Sequence, residues 1–189
     1  MNGENKGSVL ITGGAKRIGA EMARALARDG WYLCVHYNTS GVEAEALLKE
    51  IVDAGGAGML IEADLARADV APSLIARAQS GAPPLVALIN NASLFEYDDV
   101  TSLTADALDK HYAVNLRAPI LLAKAFLEAK TDEREGCIIN MLDNKVFAVN
   151  PDYLSYTISK FGLHGATLAM AMAMAPRVRV NAIAPGITL

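Results

Sequence analysis

Cysteine is nearly absent: the 189 residues hold two, Cys34 and Cys137, and both lie inside apolar runs. Two cysteines so placed build no disulfide framework and suit buried thiols in a reducing compartment. Histidine is as sparse. His36, His111 and His164 have no acidic or cysteine partners at metal-ligand spacing, so they read as structural or surface residues and no metal site is expected. Aromatic residues make up 6% and charged residues 20%, against 52% hydrophobic, which supplies a large core and excludes disordered and fibrous classes. Positive charge is not in excess, with 17 basic against 21 acidic residues and a net charge of -4. A chain of that balance has no broad basic field, which argues against nucleic acid and anionic membranes as partners. Long apolar runs are missing too. The Met/Ala-rich stretch 166–175 is too short to span a bilayer, and the opening MNGENKG carries no signal core. The expectation is a cytoplasmic protein acting on a small molecule.

What is present is alternation. Apolar runs at 8–12, 31–37, 58–62, 85–90, 136–141 and 178–182 read as strands, several continuously hydrophobic as strands covered on both faces require. Segments of helical period fill the gaps at 18–29, 42–54, 70–79, 105–130 and 156–175, punctuated by Gly30, Gly55-Gly56, Pro83-Pro84 and Pro176. With no repeat, linker or low-complexity tract, residues 1–189 form one α/β domain, a doubly wound parallel sheet of Rossmann type. In such sheets ligands bind beyond the carboxyl ends of the strands, so the residues following each strand carry the chemistry.

The first strand leads into Thr12-Gly13-Gly14-Ala15-Lys16-Arg17-Ile18-Gly19. Glycines there let the backbone turn tightly and approach a pyrophosphate at a helix N-terminus; a plain tight turn is the other reading. An NAD site usually places Asp or Glu at the end of the second strand, whereas this chain has His36-Tyr37-Asn38-Thr39-Ser40. A ribose 2′-phosphate then fits against Asn38, Thr39 and Ser40, with Arg17 and Lys16 supplying positive charge, and NADP(H) is the expected cofactor.

Thr12-Gly13 with Gly19, Ala63-Asp64-Leu65, Asn90-Asn91-Ala92, Asn115, Tyr156-x-x-x-Lys160 and Pro185-Gly186 stand in the order of the short-chain dehydrogenase/reductases, which the chain resembles over nearly its whole length. Tyr156 and Lys160 share a helix face, so the ammonium can lower the phenol's pKa and bond the nicotinamide ribose. The resemblance implies that Asn115 completes a proton relay through water and that Asp64 and Leu65 flank the adenine. It also implies that Gly13, Ile18, Gly19, Tyr37, Asn91, Ala92, Pro185 and Gly186 border the cofactor. Two departures narrow the branch: Arg17 stands where the family usually has glycine, and Asp143 where it has serine. These, with His36-Tyr37, Ser40 and Asn91-Ala92-Ser93 followed by Phe95, look like pteridine reductases. That likeness implies Asp143 working with Tyr156 in proton delivery, Phe95 stacking a pterin over the nicotinamide, and Ser93 and Arg17 contacting cofactor and substrate. The plainer alternatives make Asp143 a loop cap, Phe95 loop packing, Asp64 a turn residue and Asn115 a solvent-facing helix residue.

An NADPH-dependent reductase of pteridine-like substrates is therefore expected. A 3-oxoacyl thioester reductase is the alternative, and an NADP(H)-binding sensor is the reading from another class. Family members usually continue past Pro185-Gly186 into a substrate-covering segment and a seventh strand, whereas the sequence stops at Leu189, so both are expected to be missing. Met170, Met172 and Met174 alternate with alanine and, with the helix 105–130, suggest pairing of long helices in a homo-oligomer, a dimer or tetramer.

Overall fold

The computed structural model describes residues 6–130 and 135–186. Six strands, β1 (Ser8–Ile11), β2 (Tyr32–Tyr37), β3 (Ala57–Glu62), β4 (Leu85–Asn90), β5 (Gly136–Met141) and β6 (Val178–Ile183), form one sheet in the order β3-β2-β1-β4-β5-β6. All five pairings are parallel. The expected doubly wound Rossmann-type sheet is thus the observed one. The central strands are buried on both faces, with Val9, Leu10, Ile11, Leu33, Cys34, Val35 and Leu88 at 1% exposure or less, because helices cover each side. The direction in which successive strands are added reverses between β1 and β4, the point at which a ligand sits in folds of this kind.

The helices are α1 (Arg17–Arg28), α2 (Gly41–Asp53), α3 (Val70–Gln79), α4 (Ala105–Tyr112), α5 (Ala118–Ala129) and α6 (Leu154–Met174). The single helix expected over 105–130 is a correction: a π-helical turn over Ala113–Arg117 divides it into α4 and α5. Pro119, in the first turn of α5, has no N–H to return to the Asn115 carbonyl in α register, and its ring crowds that carbonyl, so the helix widens. Helix α6 starts two residues earlier than its apolar period suggests. Asp98, far away in sequence, caps it: its carbonyl accepts from the N–H groups of Tyr153 (2.7 Å) and Leu154 (3.3 Å), and its Oδ1 accepts from Ser155 (3.1 Å). No seventh strand occurs among the described residues, and the segment expected to be missing would follow Ile187, outside them. No described helix is long and apolar enough to cross a membrane.

The turn after β1 is pinned from both neighbouring strands. Thr12 Oγ1 accepts from the N–H groups of Asn91 and Ala92, each at 3.0 Å, and the Asn91 amide donates to the carbonyls of Thr12 (3.0 Å) and Gly13 (2.9 Å). From β2, buried His36 takes the Gly13 N–H on Nδ1 (3.0 Å), which leaves Nε2 protonated to donate to the Ala63 carbonyl (3.0 Å). Gly13 has φ +59°, and a Cβ there would lie 2.8 Å from the Ala92 Cα, so both the backbone angle and the space require glycine. Of the two readings the sequence allowed for His36, structural or surface, its burial at the end of β2 decides for the structural one.

Burial lowers the His36 pKa to about 4 from an ordinary 6.5, with the hydrogen bond to Ala63 opposing. The folded protein therefore binds fewer protons than the unfolded chain between those values, and stability falls as pH drops from 6.5 towards 4. Comparing denaturation midpoints of wild type and His36→Gln should show the wild type losing about 3 kcal/mol more over that interval. Parallel curves would assign the acid sensitivity to other groups.

Candidate active site

Two adjoining cavities run along the carboxyl ends of the strands. One, of about 250 Å³, is lined by Gly13, Lys16, Tyr37, Asn38, Thr39, Ser40, Asp64, Leu65 and Ala92. The other, of about 570 Å³, is lined by Arg17, Ile18, Gly19, Asn91, Phe95, Asp143, Tyr156, Lys160, Pro185 and Gly186. Lys16 and Ser93 belong to both, so the two form one trough. Every residue expected at cofactor or substrate lines it. Asn115 alone, of the whole set, does not.

The trough fits a dinucleotide. Helix α1 begins at Arg17 with its first turn aimed at the junction of the cavities, carries no acidic residue there and has no side-chain cap, so its N-terminal N–H groups and dipole suit a pyrophosphate. A Cβ at Gly19 would stand 2.4 Å from the Gly13 carbonyl, so the bare backbone is what allows helix and turn to meet. In the smaller cavity Asp64 Oδ1 caps the Ala66 N–H at 2.9 Å, which bears out its reading as a turn residue, while the residue also lines the cavity wall.

The expected division of labour between Lys16 and Arg17 changes. Lys16 faces the segment Asn38 to Ser40, anchored by an ion pair to Glu43 at 2.6 Å, whereas Arg17 lines only the cavity that contains Tyr156 and Asp143. The Glu43 carboxylate in the first turn of α2 was not anticipated, since its place beside Lys16 depends on how α1 and α2 pack. Arg17 has φ +50°, a left-handed conformation that costs a non-glycine residue roughly 1–2 kcal/mol. Glycine would relieve that cost, so an arginine kept there points to a use for its side chain.

In the larger cavity Tyr156 donates its hydroxyl to Asp143 Oδ2 at 2.8 Å, and Asp143 Oδ1 accepts the Lys145 N–H at 2.8 Å. Asp143 is thus both loop cap and partner of the phenol. Lys160, 2% exposed, gives its ammonium to the Met141 carbonyl at 2.7 Å, with Nζ 5.5 Å from the Tyr156 ring centre. Burial pushes Lys160 down to about 8, with Asp143 opposing, and raises the Tyr156 phenol well above its ordinary 10, reinforced by its bond to Asp143. The expectation that Lys160 lowers the phenol is therefore not met in this state, where burial and the aspartate hold the proton on the tyrosine.

Phe95 is half-exposed, packs edge-on to Tyr156 at 4.7 Å between centroids and stacks on Tyr153 at 4.2 Å. Asn115 is fully buried instead of facing solvent. Its carboxamide accepts from the Leu94 N–H (2.8 Å) and donates to the Leu94 carbonyl (2.9 Å) and Ser159 Oγ (3.1 Å). It therefore ties the loop carrying Ser93 and Phe95 to helix α6.

The profile of the short chain dehydrogenase family matches residues 7–189. The chain belongs to that family. Among solved structures, this short-chain dehydrogenase is similar to FolM alternative dihydrofolate reductase 1 from Brucella suis in complex with NADP. Identity is 43% and the TM-score 0.92, over 96% of this chain and 76% of the other. It is also similar to a dehydrogenase/reductase from Sinorhizobium meliloti, at 29% identity and a TM-score of 0.91, over 98% and 73% of the two chains. Among curated proteins, 3-oxoacyl-[acyl-carrier-protein] reductase FabG of Staphylococcus aureus is 33% identical over 181 residues, 95% of this chain and 73% of that protein. Fold, family and cofactor class agree, and this short-chain dehydrogenase is an oxidoreductase that uses NADP(H).

Since Lys16, and not Arg17, lines the cavity formed by Asn38 to Ser40, Lys16→Ala should weaken NADPH binding about tenfold or more and leave NADH nearly unchanged, the loss of one charge-assisted bond of about 1.5–3 kcal/mol. Fluorescence titration with both nucleotides checks this; equal weakening of the two would remove Lys16 from 2′-phosphate recognition.

Proposed function

We propose that this protein is an NADPH-dependent reductase of pteridine-like substrates. The observation that carries the reading is the 2.8 Å hydrogen bond between Tyr156 and Asp143, beside the half-exposed ring of Phe95. A carboxylate in that place accepts from ring N–H or amino groups of a heterocycle, which the neutral serine usual in the family does less strongly. Phe95 offers a flat apolar wall, and Ser93 and Arg17 supply a hydroxyl and a cation on the same cavity. The likeness to the Brucella FolM structure supports the same reading.

NADPH, when bound, supplies the hydride. The chain's own residues orient the substrate and manage the proton. Tyr156 carries its proton at neutral pH, the form a reductase needs, and because burial and Asp143 raise its pKa further, giving that proton up depends on a neighbouring positive charge. Asp143 holds the hydroxyl in a single orientation and accepts from the substrate's ring. Lys160, an ammonium below about pH 8, places positive charge beneath the phenol and lowers the cost of its conjugate base once the proton has left. Thr12, Asn91 and His36 keep the turn rigid under the cofactor.

A second reading, reduction of 3-oxoacyl thioesters, is favoured by the 33% identity to the Staphylococcus aureus FabG protein. Steady-state assays with NADPH, a dihydropterin and an acetoacetyl thioester separate the two. Tyr156→Phe should lower turnover of the true substrate about a hundredfold with NADPH binding intact. Asp143→Ser should depress pterin reduction more than carbonyl reduction. A wild type that reduces the thioester and no dihydropterin would overturn the pteridine reading.

We further propose a homo-oligomer built on the long helices. Tyr112 at the end of α4, Ile120 on α5, and Ile158, Phe161, Leu168 and Met172 on α6 are all exposed, Met172 at 84%, which is more apolar surface than a helix pair normally leaves to water. Light scattering at micromolar concentration should give at least a dimer, and Leu168→Glu combined with Met172→Glu should shift it towards monomer. A monomeric wild type would refute the arrangement.

A further inference from the structure

The larger cavity is lined by one carboxylate, Asp143, and by the cations Lys16, Arg17, Lys145 and Lys160, of which Lys145 has no part in the chemistry above. Three rings lead away from the phenol. Tyr156 meets Phe95 edge-on at 4.7 Å, Phe95 stacks on Tyr153 at 4.2 Å, and the Lys145 ammonium lies 5.4 Å above the Tyr153 ring. Lys145 lines the same cavity as Tyr156 and Lys160. Its ammonium is steadied by neutral acceptors, the Asn150 side chain and the Asp152 carbonyl at 3.3 Å. Among the described residues it forms no ion pair, whereas Lys16, at the junction with the other cavity, is paired with Glu43. Tyr153 is also held in a left-handed conformation, φ +60°, by the Asp98 cap, so the ring beneath the ammonium is fixed by the start of α6.

We propose that Lys145 is a specificity residue that binds an anionic group on the substrate's side chain, so that the preferred substrates are N-heterocycles bearing a carboxylate or phosphate. The inference rests on the pteridine reading above and deepens it. Asp143 attracts the hydrogen-bond donors of a heterocyclic head and repels an anion, so the charged end of such a substrate points outward. Phe95 then gives the intervening side chain a surface to lie on, and Lys145, on the same cavity, meets the charge at its far end. An ammonium already oriented by two neutral acceptors loses little further freedom on binding and retains its full charge for the ligand. A bare bicyclic ring resting near Tyr156 and Phe95 does not extend to the far side of Tyr153, so a neutral, short-chain substrate leaves Lys145 unused.

The test compares kcat/KM for 7,8-dihydrofolate, whose tail ends in carboxylates, 7,8-dihydroneopterin monophosphate, and 7,8-dihydrobiopterin, whose side chain is neutral. Wild type, Lys145→Met and Lys145→Arg are each assayed with saturating NADPH at low and high salt. The Met variant should lose about tenfold more on an anionic substrate than on dihydrobiopterin, through KM and not kcat. The Arg variant should restore most of that loss, and added salt should narrow the difference. A loss confined to dihydrofolate identifies the anion as a carboxylate tail, and one confined to the monophosphate identifies a phosphate. Equal losses on charged and neutral substrates, or none, would overturn the proposal. If the wild type reduces none of the three, the pteridine reading fails on its own account. Calorimetric binding of folate to the NADP⁺ complex then decides on Lys145: weaker binding by the Met variant sustains its role, and equal binding removes it.

Discussion

The turn that follows β1 is the constraint on which the rest of this structure depends. Gly13 must take a left-handed angle with its α-carbon against Ala92, and three polar groups from the strands on either side, Thr12, Asn91 and His36, hold it there. Because β1 lies between β2 and β4, His36 and Asn91 reach the same turn from opposite sides. The N-terminus of α1, and with it Lys16 and Arg17, is then aimed by a backbone that has no freedom left. The buried histidine stays neutral because burial disfavours its charged form, and a protonated ring would also lose the acceptor that holds Gly13.

At the other end of the trough, the same economy of groups is seen in Asp143. One oxygen caps the short 3-10 turn Asn144–Val146 and the other takes the phenol hydroxyl, so the loop's shape and the tyrosine's protonation are set by one carboxylate. That loop is tied down further by Asn144 and Leu142, whose N–H groups donate to the carbonyls of Pro185 and Ile183 at 3.0 and 2.7 Å. A polar chain runs beneath it, from Asn90 to Asn140 (2.8 Å) and from Asn140 to Thr167 (2.8 Å), joining β4, β5 and α6 inside the sheet-helix interface. Buried hydrogen bonds of this kind gain strength from the low local dielectric and fix the register of the catalytic helix against the strands.

The strands were legible because each is a short, nearly continuous apolar run, and the glycine-rich turn because its φ requirement shows in the residue type. Tyr156, Lys160 and Asp143 were placed together by motif, and they do share one cavity. What escaped the sequence depends on partners distant along the chain. The start of α6 is set by Asp98, the role of His36 by Gly13 and Ala63, and the side on which Lys16 and Arg17 fall by Glu43 and the left-handed bend at Arg17. The π turn had a local cause in Pro119, but proline in a first helical turn ordinarily passes without distortion, and only the continuity of α4 into α5 makes it disruptive here.

The seam between β1 and β4 has a kinetic meaning as well. β1 reaches β2, and β2 reaches β3, across one crossover helix each, whereas β1 finds β4 only after more than seventy residues have been drawn in, as the 77-residue separation of Thr12 and Ile89 shows. Closing that loop is entropically the most demanding of the pairings, and it joins two half-sheets each wound from near neighbours. The turn, the trough and its three lysines, Lys16, Lys145 and Lys160, assemble across this seam. A chain with its halves formed but undocked has no nucleotide site, so a dinucleotide lying across the junction acts as a clasp, and its concentration raises the share of chains whose halves are joined.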